Sequence, residues 1–353
     1  MRLAIRGASR KDVPVPELLA NVVLFVVGAA AIWVGGGRLP GAGESLAARL
    51  GISTTALGLF VLSIVTSLPE LSVTFAAMLK EGAPNLAFGN ILGSNNFNVT
   101  SIAVLELMAV GVFLHNVDRE RYVGTCRNLL VLTLLAGLGV LFGPRMSHPL
   151  PAILLFSVPV IAVFIYDAVA HGRRGRGKPR ERKNAVEEGA GVFLRFLLLS
   201  AVVVGGGFAI ARGASGIASH EFGGGFRLGY TFVGTLLVAV ATSMPEVSVA
   251  YAAVRRAGLE DMALGTLLGS NTVNILVFAV GAPFLLLRGR ESAWQLVDVS
   301  NLVSVVTALL LTLFVLVGIT SRSLRAGRTT ARVLVALMVP IYVLCLFLVY
   351  RAA

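Results

Sequence analysis

Apolar residues run along this chain in long blocks, with neither the alternation of a half-buried strand nor the single stripe of a soluble surface helix. A helix needs about 20 mostly apolar residues to cross a bilayer. By that measure the blocks predict ten spanning helices, at roughly 17–36, 54–79, 84–114, 124–143, 148–170, 192–212, 230–254, 262–287, 294–318 and 332–350. The polar breaks between them are short save one. Residues 171–189, HGRRGRGKPRERKNAVEEG, form a basic linker with five predicted spans on either side. Residues 1–15 are basic as well, but they lead into a full-length apolar block with no small-residue cleavage site, which reads as a retained tail and not a signal peptide.

Composition agrees with a lipid environment. Of 353 residues 56% are hydrophobic and only 14% charged, whereas soluble domains carry about 25% charged residues. The deficit extends along the whole length, so the bilayer is a partner and an ordinary soluble enzyme is excluded. A formal net charge of +12 would point to nucleic acid in a soluble protein. Here the cations sit in short loops, where they set topology, and no nucleic-acid partner is expected. Placing both termini outside puts 18 Lys and Arg, the linker's included, on the cytoplasmic side and 11 outside, with Arg195 left within the sixth span. The location expected is a plasma membrane, the inner membrane in a bacterium. Cys126 and Cys345 lie far apart and the four histidines are scattered, so neither a disulfide framework nor a zinc site is expected.

Slid against itself, the chain matches once. Residues 57–98 align without a gap on 233–274, at an offset of 176, with 17 of 42 positions identical. The identities include Thr, Ser, Pro, Glu, Gly and Asn, which lipid-facing helices have little reason to share, so the halves 1–170 and 192–353, joined by the linker 171–191, read as a duplication. An offset of five spans turns the second copy over in the membrane. The fold class predicted is therefore an all-α polytopic membrane protein of ten helices in two inverted five-helix repeats, with broken helices at the matched segments. That is a transporter architecture, with its substrate site at the repeat interface.

The matched residues carry the chemistry. Glu70 and Glu246 stand inside the second and seventh spans, each in a Thr-Ser-x-Pro-Glu sequence, and a carboxylate at that depth costs several kcal/mol unless it is compensated. Thr66 and Ser67 lie four and three residues before Glu70, and Thr242 and Ser243 before Glu246, on one helical face in each case. Pro69 and Pro245 have no N–H, which frees the carbonyls of Val65 and Ala241. Further on comes Gly-x-x-x-Gly-Ser-Asn-x-x-Asn, with Gly89, Gly93, Ser94, Asn95 and Asn98 matched by Gly265, Gly269, Ser270, Asn271 and Asn274. The glycines allow helices to approach closely or to unwind, and the Ser and Asn side chains need partners where there is no water. Every donor in this set is an oxygen. Hard cations want such a set, calcium taking six to eight oxygens, while softer metals bring Cys or His. Two carboxylates balance one calcium ion, or largely two or three sodium ions.

These two motifs, in this order and twice over, resemble those of the sodium/calcium exchangers of the calcium/cation antiporter superfamily. The resemblance implies that Glu70 and Glu246 bridge the bound ions, that Ser67, Ser243, Thr66 and Thr242 contribute hydroxyl or carbonyl oxygens, and that Asn98, Asn274, Ser94 and Ser270 complete the cage. It implies calcium and sodium as transported ions with no cofactor, alternating access by sliding of the first and sixth helices, and function as a monomer. The chain departs from the family pattern at Thr266, where many relatives have Asn or Asp although Asn90 conforms. It also carries Asn at both 98 and 274, where potassium-dependent relatives have an acid. Proton exchange is the runner-up, since the Gly-Asn-x-x-Glu pattern of proton-coupled relatives is missing while Glu106, matched by Ala282, is an intramembrane acid able to relay a proton, to reach the membrane edge or to pair with a polar neighbour. An intramembrane enzyme lacks a His or Cys in the repeats, and channel filters are built from rings of identical subunits.

Overall fold

The computed structural model describes residues 15–49, 65–109, 113–114, 116–174, 191–222, 226–255, 260–288, 291–320 and 328–352. The N-terminal tail, the first part of the second predicted span and residues 175–190 of the linker lie outside them. Helix occupies most of the described part of every predicted span: α1 (Val15–Gly36), α2 (Leu68–Ala76), α3 (Pro84–Met108), α4 (Arg119–Phe142), α5 (Val158–Arg174), α6 (Gly191–Ser219), α7 (Ala239–Val254), α8 (Glu260–Gly281), α9 (Asn301–Thr320) and α10 (Arg328–Ala352); residues 297–300 and 113–114 lie outside helix. Wide π turns extend three of them. Ala77–Glu81 follows α2, Ile153–Ser157 leads into α5 and Gly234–Val238 leads into α7.

Among the described residues seven helices are long and apolar enough to cross a membrane, and the chain is an all-α, multi-pass membrane protein. The other three helices fall short for visible reasons. The second predicted span is described only from residue 65 on, α10 has its apolar stretch in Ala336–Ala352, and α3 carries Asn90, Ser94, Asn95, Asn96 and Asn98, all buried inside the protein.

The expected helix breaks occur at one of the two proline sites. In the first half Ser67 sits in a turn at φ −82°, ψ 7°, and α2 restarts at Leu68 with Pro69 in its first turn, where a missing N–H has no intrahelical partner to lose. In the second half the helix runs through Pro245, and the irregularity moves back to the π turn Gly234–Val238. The Gly-x-x-x-Gly-Ser-Asn segments do not unwind: both lie in continuous helix, in α3 and α8.

Glycine in α3 serves close approach instead. A Cβ on Gly93 would lie 2.4 Å from the carbonyl oxygen of Thr235, and one on Gly89 2.8 Å from that of Thr231. Gly234 faces back, with its Cβ position 2.6 Å from the Leu86 carbonyl oxygen. Backbone therefore meets backbone where α3 crosses the segment leading into α7. A second glycine seam joins α1 to α6, where a Cβ on Gly28 would meet the Gly206 carbonyl oxygen at 2.6 Å and one on Gly213 the Asn21 carbonyl oxygen at 2.5 Å. The outer faces of this pair expose Leu19, Val23, Val26, Phe193, Leu194 and Leu198, the side chains lipid would cover. Behind α3 and α8 the buried ring of Trp294 packs on Phe88, Phe278 and Phe156 and donates its Nε1–H to Ser157 Oγ at 2.8 Å, so the indole is both packed and satisfied.

Gly93→Val should destabilise the protein by about 3 kcal/mol, an overpacking cost with backbone on the other side. Gly205, with no atom of the described residues within 4 Å of its Cβ position, should tolerate Ala with a gain of up to about 1 kcal/mol in helix propensity. Thermal unfolding in detergent measures both.

Candidate functional site

α2, α3, α7 and α8 bring the residues picked out by the repeat into one buried cluster, and its hydrogen bonds run mainly between the two halves. Thr66 Oγ1 lies 3.2 Å from Ser270 Oγ, and Ser94 Oγ lies 3.3 Å from Thr242 Oγ1. A shift of 176 converts one pair into the other. Asn95 Nδ2 donates to the Asn271 carbonyl at 3.1 Å and Asn271 Nδ2 returns the bond to the Asn95 carbonyl at 3.2 Å. Asn98 Nδ2 then donates to Asn271 Oδ1, and Asn274 Nδ2 to Asn95 Oδ1, both at 3.0 Å. This four-bond weave engages the amide nitrogens of all four asparagines.

The carboxylates are treated unequally. Glu70 and Glu246 are both fully buried and interact electrostatically with each other. Ser243 donates its hydroxyl to Glu70 Oε1 at 3.0 Å. The matching bond from Ser67 to Glu246 is not made, and the local backbone accounts for it: Ser243 is held inside α7, while Ser67 lies in the turn before α2. Among the described residues, Ser67 Oγ, Glu70 Oε2, both Glu246 carboxylate oxygens, Asn98 Oδ1 and Asn274 Oδ1 are buried without a hydrogen-bond partner. Buried polar atoms are almost always paired. Six such atoms are an exception to that rule, and five of them belong to two matched pairs, Glu70 with Glu246 and Asn98 with Asn274.

The structure thus brings together Glu70, Glu246, Ser67, Ser243, Thr66, Thr242, Asn98, Asn274, Ser94 and Ser270. Sequence reasoning passed over the supporting roles of Asn95 and Asn271, whose identity across the repeats was the available signal. It also passed over Asn90, which accepts from Thr242 Oγ1 at 3.1 Å. Among the described residues no group of three or more His, Cys, Asp and Glu side chains comes together, so the cluster owes its oxygens to hydroxyls and amides as much as to acids. Glu106 lies elsewhere: buried, it accepts the backbone N–H of Leu114 at 2.8 Å, the polar pairing expected, and holds the segment after α3. Asp118 caps α4 through the Arg121 N–H at 3.3 Å.

The model described as sodium/calcium exchanger protein matches residues 20–172 and 191–351, with the basic linker between the two stretches. This chain belongs to the sodium/calcium exchanger family. Its similarities include inner membrane protein YrbG of Escherichia coli, 29% identical over 77% of this chain and 82% of that protein. Sodium/calcium exchanger MaX1 of Methanosarcina acetivorans is 26% identical over 74% of this chain and 81% of that protein. Among solved structures, the sodium-calcium exchanger NCX_Mj soaked with 10 mM Na+ and 10 mM Sr2+ covers 92% of this chain and 97% of its own at 22% identity, with a TM-score of 0.51. The H+/Ca2+ exchanger CAX covers 94% and 91% at 14% identity, with a TM-score of 0.62. Both structural likenesses give the exchanger fold.

Within this exchanger the cluster divides into scaffold and open oxygens, and stability separates them. Asn95→Ala strands the Asn271 carbonyl and the Asn274 amide and should cost about 2–3 kcal/mol. Ser67→Ala removes an oxygen that no described residue bonds and should leave ion-free stability within about 0.5 kcal/mol. Thermal unfolding in chelator, without sodium, checks the contrast.

Proposed function

We propose that this chain is a secondary antiporter that exchanges calcium for sodium across the plasma membrane by alternating access. The observation that carries the reading is the set of six buried, unpartnered oxygens on Ser67, Glu70, Glu246, Asn98 and Asn274. Calcium takes six to eight oxygens in flexible geometry, and the hydroxyls of Thr66, Ser94, Thr242 and Ser270 lie in the same cluster to complete a shell or divide it among sodium ions. Two carboxylates match the charge of one calcium ion, and two or three sodium ions bring a similar charge. The same oxygens then serve either cargo in turn, which is the electrostatic basis of exchange. Family membership and similarity to the sodium/calcium exchanger MaX1 support this choice of ions.

The finer architecture goes with it. The chain crosses the membrane ten times in two inverted halves, 1–170 and 192–353, with both termini outside and the linker 171–191 in the cytoplasm. The offset of 176 supports the inversion, and so does the excess of Lys and Arg assigned to the cytoplasmic side. The antiporter works as a monomer, since one chain supplies both halves of the site, and binds no nucleic acid.

Calcium-45 uptake into proteoliposomes loaded with sodium tests the function. Uptake should require internal sodium, with choline-loaded vesicles and vesicles holding only a proton gradient at background. Uptake driven by protons alone would transfer the coupling to hydrogen ions. Glu70→Gln and Glu246→Gln should each bring uptake to the protein-free background while purification behaviour is kept. Retained uptake in both variants would overturn the site.

A further inference from the structure

The two halves of the cluster differ at position 90, which touches the hydrogen-bond network. Asn90 in α3 is matched by Thr266 in α8. Asn90 is fully buried. It donates Nδ2 to Thr74 Oγ1 at 3.3 Å and to the Glu70 carbonyl at 3.5 Å, and these two bonds set its amide so that Oδ1 faces Thr242, whose hydroxyl it accepts at 3.1 Å. A threonine hydroxyl has one proton to give. Its acceptors are Asn90 Oδ1 at 3.1 Å and, farther off, the Ala239 carbonyl of its own helix at 3.3 Å; with the proton on either, the 3.3 Å contact between Thr242 and Ser94 takes its proton from Ser94, and with the nearer acceptor the chain runs Ser94 to Thr242 to Asn90. Both protons then lead away along the network, and lone pairs on Ser94 are left for a cation, which an inward-pointing proton would repel. Thr242 is also the neighbour of Ser243, which donates to Glu70, so the same anchor steadies the bonded carboxylate. Thr266 acts differently: its Oγ1 donates to the Met262 carbonyl of its own helix at 2.9 Å.

We infer that Asn90 is a positioning residue of the ion site, which directs the hydroxyl protons of Ser94 and Thr242 away from the cation and, with Thr266 in its place across the repeat, makes the two halves bind with unequal strength. This rests on the reading of the cluster as an ion site. Asn90 acts through Thr242 and Ser94, and the asymmetry it creates lies on the Glu70 side.

The test is thermal unfolding of the full chain in detergent, titrated with calcium and separately with sodium, for the wild type and Asn90→Thr. The half-saturating calcium concentration should rise about fivefold in the variant, the worth of one net hydrogen bond. A purely structural role would lower the ion-free melting temperature and leave half-saturation where it was, and that result overturns the inference. Should Asn90→Thr fail to fold, the double variant Ala250→Thr, Thr266→Asn places the same amide with its threonine anchor in the other half and should lower half-saturating calcium by about the same factor. No change there also overturns it. A wild type stabilised by neither ion would bring down the ion-site reading and this inference with it, whereas a stabilised wild type with unmoved variants brings down Asn90 alone.

Discussion

Unpaired oxygens inside a lipid-embedded protein are the constraint around which this molecule is arranged. In bulk water the orphan atoms of Glu70, Glu246, Ser67, Asn98 and Asn274 would be solvated. Within hydrocarbon thickness an unsatisfied polar group costs several kcal/mol, and a pair of carboxylates that repel each other costs more. Such a site persists only where surrounding structure over-determines it. The asparagine weave does this, because every amide nitrogen in it is committed to the opposite half, leaving the outer oxygens of Asn98 and Asn274 no freedom to turn away.

Close backbone approach seats α3 against the segment leading into α7, while the weave ties α3 to α8. Asparagine is short, so a helix pair separated by large side chains could not exchange side-chain-to-carbonyl bonds at 3.1 and 3.2 Å. Gly89, Gly93 and Gly234 remove the intervening Cβ atoms where α3 crosses the start of the α7 segment, and the aromatic packing of Phe88, Phe278 and Trp294 holds α3 and α8 from behind. Glycine that is often read as flexibility here provides rigidity, since both helices stay continuous through it. The seam of α1 and α6 uses the same device, with its outer faces left apolar.

Duplication supplies a twofold set of residues, and small departures break the symmetry in ways that matter for charge. A proline at the start of a helix and a proline within one are different local structures, so Ser67 and Ser243 come from matched sequence yet only Ser243 reaches a carboxylate. Position 90 against 266 adds a second inequality. An exchanger that must hold one divalent ion and then several monovalent ions has use for inequivalent subsites, and the asymmetry needs no residue outside the repeats.

Much of this was legible in one dimension. Hydropathy and loop charge follow from residue type and order, so the membrane class and the sequence repeat could be read directly from the chain, and with them ten oxygen-bearing residues that the fold gathers into one cluster. The membrane medium itself flagged Glu70 and Glu246, because a carboxylate in a spanning helix has to be accounted for. What the chain order could not state is which oxygens are engaged and which are open. That depends on contacts between residues such as Thr66 and Ser270, 204 positions apart, and Ser94 and Thr242, 148 apart. It depends as well on whether a proline begins a helix or lies within it, and on whether a glycine meets lipid or a facing carbonyl. Sequence determined the medium, the repeat and the donor chemistry. The packing of helices decided the pairing, because a hydrogen bond is a relation between two positions in space that no single position encodes.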